Sequence, residues 1–215
     1  MTSKLKRDQI SPERANNWRK SFKEEAELTF NIDVPQIVLQ KETYKILAGE
    51  NENQLRIYLG LEPFDNSSQL KLCAFAVSAF LLGSGDVYVD YETPVYKLEK
   101  ENVDFSMKTD EVIKSIRRYR SWLSGELDPE NRAAHFRKFI YPNAYLLTKF
   151  ELHDIFNIQN RNEAQIEFGI SKTMNIMISP DVVEHREVED QSVVFNNGGL
   201  CPPICDEGSI YNGSP

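Results

Sequence analysis

The chain has few of the residues from which reactive sites are commonly built. Its 215 residues include only 3 cysteines, 3 histidines and 10 glycines. It contains no phosphate-cradling glycine loop, no nucleophile-elbow serine motif and no paired-histidine zinc-protease motif. These absences exclude the best-marked nucleotide-binding, hydrolase and metalloprotease signatures, so the sequence predicts no particular enzymatic activity.

Long hydrophobic runs are also missing. The longest apolar stretch, Leu72 to Leu82, has 11 residues and already includes Ser78, whereas a bilayer-spanning helix needs about 20 residues. The segment from Met1 to Trp18 is polar and charged with no apolar stretch behind it, which argues against a secretory signal. We therefore expect no membrane span and a cytoplasmic protein.

Positive charge is in short supply, because 25 basic residues stand against 33 acidic ones and the net charge is −8. Nonspecific nucleic-acid binding relies on neutralising phosphates, so nucleic acid is not an expected partner. The group Arg117, Arg118 and Arg120 beside Tyr119 and Trp122 could touch anions or RNA, but a solvated helix face is the favoured interpretation. The hydrophobic fraction of 40% is ordinary for a globular domain.

Helix signals occur at four places. Ser11-Pro12-Glu13 predicts a helix start, because serine can cap free amides and proline suits the first helical position. Thr109-Asp110-Glu111 is predicted to cap a second helix and Asp128-Pro129-Glu130 to start a third. A short helix is predicted over Glu42 to Ala48, with Gly49 as its C-terminal stop.

Strand signals include two that follow the short helix predicted over Glu42 to Ala48 and one at Val193 to Phe195. Leu55 to Gly60 alternates apolar and polar residues, as a strand does. Lys71 to Leu82 is almost entirely apolar and predicts a central strand covered on both faces. Val193 to Phe195 predicts a last short strand, and Asn196 to Gly199 predicts a turn that tolerates positive φ.

The two strand-rich segments resemble each other in order. Ile57 and Gly60 match Ile166 and Gly169 at an offset of 109 residues. We therefore predict an α+β fold of two tandem helix–helix–β-hairpin units, residues 9–105 and 107–195, with antiparallel strands covered on one face by helices. A tail, residues 196–215, follows. Two unrelated helix-plus-hairpin segments are the alternative, and whether the units share one sheet stays open.

The pair Cys201 and Cys205 is the most suggestive chemical feature. Three residues separate the cysteines, so the spacing fits neither the redox pair with two intervening residues nor a standard zinc knuckle. Zinc would need two further ligands. Four residues could supply them: His185, Asp206, His153 and His135. The two prolines between the cysteines favour extended geometry that holds the thiols apart, and no stable disulfide is expected in the cytoplasm.

Other candidates have plainer explanations. Cys73 lies in the most apolar strand and is expected to act as a small core hydrophobe. His153 is expected at the surface. Asp86, Asp90 and Glu92 alternate along a strand and could bind a cation, but a solvated sheet face explains them as well.

A resemblance rests on two motifs, the strand Arg56-Ile57-Tyr58-Leu59-Gly60 and the tail Cys201-Pro202-Pro203-Ile204-Cys205. Together with the preceding helix and the fold-back strand, they resemble a family of small, uncharacterised bacterial proteins that carry one such unit. The chain looks like a doubled version in which only the second copy keeps the tail. At the equivalent place in the first copy, Thr93-Pro94-Val95 has no cysteine. The resemblance implies no activity.

Two functions are predicted. The first is a non-enzymatic interaction or structural protein, a subunit of a larger cytoplasmic assembly. Its contact surfaces with a protein partner would be exposed strand edges and the tail residues Cys201, Pro202, Pro203, Ile204 and Cys205. The alternative is a thiol- or zinc-dependent activity, or a redox site, centred on Cys201 and Cys205. For zinc, His185 is the preferred additional ligand, and no other cofactor is expected.

Overall fold

The computed structural model describes residues 8–26, 32–64, 69–83, 87–100, 106–127, 139–180, 194–196, 198–202 and 204–212. Its α-helices are α1 (Pro12–Glu25), α2 (Lys41–Ala48), α3 (Thr109–Ser124) and α4 (Lys149–His153), the last continuing as a π-helical turn over Asp154–Ile158. Three predicted features lie outside the described residues: the helix start Asp128-Pro129-Glu130, the candidate cation ligand Asp86, and the candidate zinc ligands His135 and His185.

The strands form two sheets. Sheet I contains, in spatial order, β1 (Gln9–Ile10), β10 (Val194–Phe195), β9 (Met174–Ser179), β8 (Glu163–Ile170) and β3 (Ile37–Gln40). Sheet II runs from β11 (Gly198–Cys201) through β7 (Ala144–Leu147) and β4 (Gln54–Pro63) to β5 (Leu70–Leu81). Both β2 (Ile32–Asp33) and β6 (Tyr88–Lys97) pair with β5. The β2–β5 pair is parallel, and the other pairs between these strands are antiparallel.

The two sheets pack face to face around the main core. Because successive side chains of a strand point to opposite faces, Ile57 and Leu59 of β4 enter this core, where residues of sheet I such as Ile166 also lie. Arg56 and Tyr58 point to the other face of sheet II and are buried there as well. Strand β4 is therefore covered on both sides, although its sequence alternates.

Each outer face carries a helix. Ala15 and Trp18 of α1 pack with Met177 on the outer face of sheet I. Val112 and Ile116 of α3 pack on the outer face of sheet II, where the C-terminal residues also lie. The layers are thus α1, sheet I, sheet II and α3 with the tail.

The coarse fold prediction is confirmed: the protein mixes α-helices with antiparallel-rich sheets, and sheet predominates. The central strand predicted over Lys71 to Leu82 is β5, and the short helix over Glu42 to Ala48 is α2. In the part of the chain that is described, no helix combines the length and the apolar character needed to cross a membrane.

The turn predicted over Asn196 to Gly199 is wrong in its second half. Gly198 and Gly199 belong to β11 and lie opposite Leu147 and Leu146 of β7. The lack of a side chain matters at Gly198, because a Cβ there would lie 2.5 Å from a methyl carbon of Ile176. The two glycines therefore belong to a strand that lies close against the core, and they do not form a turn.

The two halves of the sequence exchange elements. Strand β3 comes from the first half but pairs with β8 of the second, and β7 of the second half pairs with β4 of the first. The helices follow the same rule, since α1 packs on β8 and α3 on β4. Residues 9–105 and 107–195 therefore build both sheets jointly.

Candidate functional site

The C-terminal residues form a strap across the outer face of sheet II. The strap comprises residues 198–202 and 204–212. It begins as β11, where the carbonyl of Cys201 accepts a hydrogen bond from the amide of Asn143 at 2.9 Å. It then crosses the sheet and buries Ser209 and Tyr211. The Tyr211 ring packs on the Tyr58 ring, with 5.4 Å between centroids.

Cys201 and Cys205 are joined in a disulfide, with 4.8 Å between their Cα atoms. This differs from the expectation that the prolines hold the two thiols apart. The amide of Ile204 donates to the carbonyl of Leu200 at 2.7 Å, so the segment turns back on itself instead of extending. Pro203 lies outside the described residues.

The disulfide bears on the predicted zinc site. A thiolate is the form of cysteine that binds metal, and neither sulfur is a thiolate in the disulfide. Of the four further ligands considered, His135 and His185 lie outside the described residues. Within the described ranges, no group of three or more His, Cys, Asp or Glu side chains is arranged to hold a metal ion. Zinc ligation stays a prediction for the reduced protein.

A buried ion pair lies under the strap. Arg56 Nε donates to Asp90 Oδ1 at 2.6 Å, and the two side chains are 0% and 1% exposed. The guanidinium also donates to the carbonyls of Tyr88 at 3.1 Å and Ile204 at 2.5 Å. The last contact comes from the strap. A charge removed from water must be paired and hydrogen-bonded, so the strap helps to satisfy Arg56.

Tyr58 extends this cluster. Its hydroxyl donates to Asp90 Oδ2 at 2.5 Å and lies 3.2 Å from the Ser209 hydroxyl of the strap. Burial, together with the charge and the hydrogen bond of Asp90, raises the pKa of Tyr58 well above its ordinary value. The hydroxyl therefore stays protonated at neutral pH and acts as a hydrogen-bond donor to the carboxylate.

Two further side chains hold the distal part of the strap. Asp206 accepts from the amide of Asp90 at 2.8 Å and from that of Gly208 at 3.0 Å. Arg120 of α3 donates to the carbonyl of Tyr211 at 2.8 Å and to the side-chain oxygen of Asn212 at 3.0 Å. The strap is thus fixed at its beginning, middle and end.

The structure corrects two interpretations of the charged residues. Asp90 is neither on a solvated face nor available as a cation ligand, because its carboxylate is bonded to Arg56 and Tyr58. The solvated-face interpretation also fails for Arg118, which donates to the carbonyl of Leu61, and for Arg120, which is half-buried against the strap. Arg117 is exposed as expected. Sequence periodicity places these residues on a face but cannot reveal that a distant segment covers it.

Cys73 and His153 behave as predicted. Cys73 is buried among Tyr58, Phe75 and Val77 on the strap side of sheet II. Burial raises the pKa of its thiol to about 12, so the thiolate needed for nucleophilic attack is scarce at neutral pH. His153 is exposed. Neither residue adds a reactive group to the site.

A groove of about 420 Å³ lies between α1, β3 and β8. Arg19 Nη2 lies 2.6 Å from Glu167 Oε2 within it, and Gln36 donates to Gln165 at 3.0 Å. The groove therefore contains an ion pair and an amide pair whose members already bind each other. It brings together none of the residues predicted to form a site.

Raising the pH from 9 to 12 is expected to lower the stability. Burial raises the pKa of Cys73 from 9.0 to about 12 and that of Tyr211 from 10.0 to about 12. The unfolded chain therefore releases these protons at lower pH than the folded chain, and the folded state loses stability as the pH rises through this window. Both groups stabilise the folded state fully at pH values below their pKa values in the unfolded chain. The midpoint of urea denaturation, measured across this pH range, reports the loss of stability. Tyr211→Phe should make the midpoint fall less steeply above pH 10. An equally steep fall would contradict the assignment of the loss to Tyr211.

Comparison with known proteins adds no relative to this account. The motifs behind the family resemblance, Arg56 to Gly60 and Cys201 to Cys205, correspond to the middle of β4 and to the disulfide-closed start of the strap. No protein-family model, no curated protein and no solved structure matches the chain. The resemblance to a family of small bacterial proteins therefore stays a prediction.

Proposed function

We propose that the protein is a non-enzymatic interaction or structural protein, a subunit of a larger assembly, with the strap as its contact surface for a protein partner. One observation carries the proposal: the buried Arg56 side chain, paired with Asp90, donates to the Ile204 carbonyl of the strap, and the main-chain amide of Asp90 donates to Asp206 of the strap. This polar cluster lies under the strap and its members bind one another, so it can hold the strap in place. Catalytic groups, by contrast, must reach a substrate.

The exposed side of the strap offers suitable contacts. The Ile204 side chain is 40% exposed, and Pro202 is exposed beside it. The main chain of the strap is held by β7 as far as Cys201 and by Arg56 at Ile204, so these apolar groups are presented in one arrangement. Preorganised apolar groups favour binding because little conformational entropy is lost on association.

We also propose that the chain consists of two copies of one unit, as the family resemblance implies. The hairpin registers support this: Gly60 lies opposite Cys73 in β4–β5, and Gly169 opposite Asn175 in β8–β9. The sequence offsets of 109 and 102 relate these two pairs. Both exchanged contacts, β3 with β8 and β7 with β4, fit a pseudo-twofold arrangement. Under this proposal only the second copy ends in a strap.

The cytoplasm remains the proposed location. Disulfides in cytosolic proteins are usually transient and catalytic or redox-sensing. The Cys201–Cys205 disulfide therefore favours a second candidate function, a thiol-based redox site. Zinc ligation by Cys201, Cys205 and His185 would belong to the reduced form of the same site, because it needs both thiolates.

The test of the interaction role is the substitution Ile204→Asp in the full chain. The main-chain bonds of Ile204 stay available, so the fold is retained while a charge enters the apolar contact. We expect the amount of stoichiometric co-purifying partner to fall by about tenfold or more. The measurement is quantitative mass spectrometry of affinity-purified protein from its native host.

Phe150→Asp is the matched control, since Phe150 is 62% exposed and lies on α4 outside the strap. It should leave partner recovery unchanged. Equal recovery with Ile204→Asp and the unchanged chain would refute the strap as the contact surface. The absence of any stoichiometric partner in all samples would refute the interaction role.

A further inference from the structure

We infer that the Cys201–Cys205 disulfide is a site of thiol–disulfide exchange whose reduction releases the strap from sheet II. The inference rests on the proposed role of the strap as a contact surface. It adds the condition under which that surface exists: the oxidised form presents it and the reduced form loses it.

The two cysteines differ in exposure. Cys201 is 0% exposed and packs in the apolar cluster that includes Tyr58 and Tyr211. Cys205 is half-buried, and its neighbour Ile204 is exposed. An external thiolate therefore reaches Cys205 more readily than the fully buried Cys201.

The exchange needs a dithiol reductant, either a small dithiol or a protein with a Cys-x-x-Cys pair. One thiolate of the reductant attacks Cys205 Sγ, the bond to Cys201 breaks, and Cys201 Sγ leaves with the electron pair and takes up a proton. The second thiol of the reductant then attacks the reductant sulfur that is bound to Cys205, and Cys205 is released as a thiol. Overall the reductant gives two electrons and two protons and becomes a disulfide.

Reduction is coupled to the buried ion pair through Ile204. This residue lies inside the ring that the disulfide closes, and its carbonyl accepts from Arg56 Nη1 at 2.5 Å. Opening the ring increases the conformational freedom of the segment, so the carbonyl is no longer held at the guanidinium. Arg56 is fully buried, and a buried donor without an acceptor draws in water or another partner.

The rest of the strap follows because it has no other covalent tether. Beyond Cys205 it is held by separate hydrogen bonds, from the Asp90 amide to Asp206, between Tyr58 and Ser209, and from Arg120 to Tyr211. Each hydrogen bond is worth little alone. The buried Tyr211 ring also packs on Tyr58, which belongs to the cluster that reduction opens. Once water enters at Arg56, the adjacent Asp90 and Tyr58 are solvated as well. The expected reduced state is an intact sandwich with a detached strap.

Hydrogen exchange of the full chain, oxidised and in excess dithiothreitol, tests this directly. We expect the amides of Asp90, Ile204 and Ser209 to exchange about tenfold faster or more after reduction, while the β4–β5 amides keep their protection. Cys201→Ser/Cys205→Ser should exchange rapidly without reductant. Cys73→Ala, which leaves the disulfide intact, should respond to reduction like the unchanged chain.

Two results would overturn the inference. Unchanged protection of the strap after complete reduction, verified by thiol titration, would mean that the disulfide does not control it. Simultaneous loss of β4–β5 protection would mean that the bond supports the whole fold. Partner recovery in both redox states separates this from the proposed function: strap release with unchanged recovery refutes the strap as the contact surface and leaves the exchange site standing.

Discussion

Replacing Asp90 by alanine is expected to lower the free energy of unfolding by about 3–5 kcal/mol, because it leaves a buried guanidinium without its counter-ion. The Asp90 side chain is 1% exposed and accepts hydrogen bonds from Arg56 and Tyr58. Truncation removes both acceptor oxygens, while the carbonyls of Tyr88 and Ile204 cannot neutralise the charge.

Urea denaturation followed by circular dichroism measures the loss. The matched control is Glu42→Ala, which breaks the Lys45–Glu42 pair on α2, where the side chains are 53% and 71% exposed. That change should cost less than about 1 kcal/mol. A loss for Asp90→Ala no larger than the control would mean that the ion pair under the strap is solvated.

A double replacement separates the cost of an unpaired charge from the value of the pair. Arg56→Met/Asp90→Leu removes both charges and keeps apolar volume, and such replacements are often neutral or stabilising. We expect the double variant to be more stable than Asp90→Ala. A double variant that is less stable would show that packing, rather than the orphaned charge, dominates.

Substitution of Gly60 by alanine is expected to destabilise the protein by roughly 1–3 kcal/mol through overpacking. A Cβ at this position would lie 2.6 Å from a ring carbon of Phe75 and 3.0 Å from the Cβ of Ser115 on α3. It would also lie 3.2 Å from the main chain of Ser115. Because a backbone atom cannot rotate away, α3 must shift from β4.

Gly169→Ala is the counterpart on the other outer face. A Cβ there would lie 2.7 Å from the Cβ of Trp18 on α1, so a loss of similar size is expected. Gly208→Ala is the control, since its nearest contact is 3.5 Å away, and it should change the stability by less than about 0.5 kcal/mol. If Gly60→Ala proved as stable as Gly208→Ala, close packing of α3 on β4 would be refuted.

Local patterns predict much of the secondary structure for physical reasons. The serine and proline at the start of α1 and the glycine after α2 act within one helical turn, so they are readable in sequence. The apolar run of β5 predicts burial on both faces. The predicted turn at Gly198 fails because β7, a neighbour distant in sequence, supplies a strand partner.

The candidate site is less predictable because its contacts join distant segments. The tail cysteines attract attention by themselves, but Arg56 and Asp90 are separated by 34 residues, and Arg56 and Ile204 by 148. Nothing in the alternation of β4 distinguishes an arginine facing water from one facing a strap. The corrected interpretations of Asp90 and Arg120 have this same cause.

The sequence by itself determined the start of α1, the short helix α2, the apolar central strand and the alternation of β4, because propensity, capping and period-2 alternation act over a few residues. Only the tertiary structure decided that the two halves exchange β3 and β7, that Cys201 meets Cys205, and that a strap covers Arg56. Those outcomes depend on which segments, distant in sequence, pack against each other. Because the strap covers the outer face of sheet II, Arg56 of β4 lies in a buried ion pair and not in water.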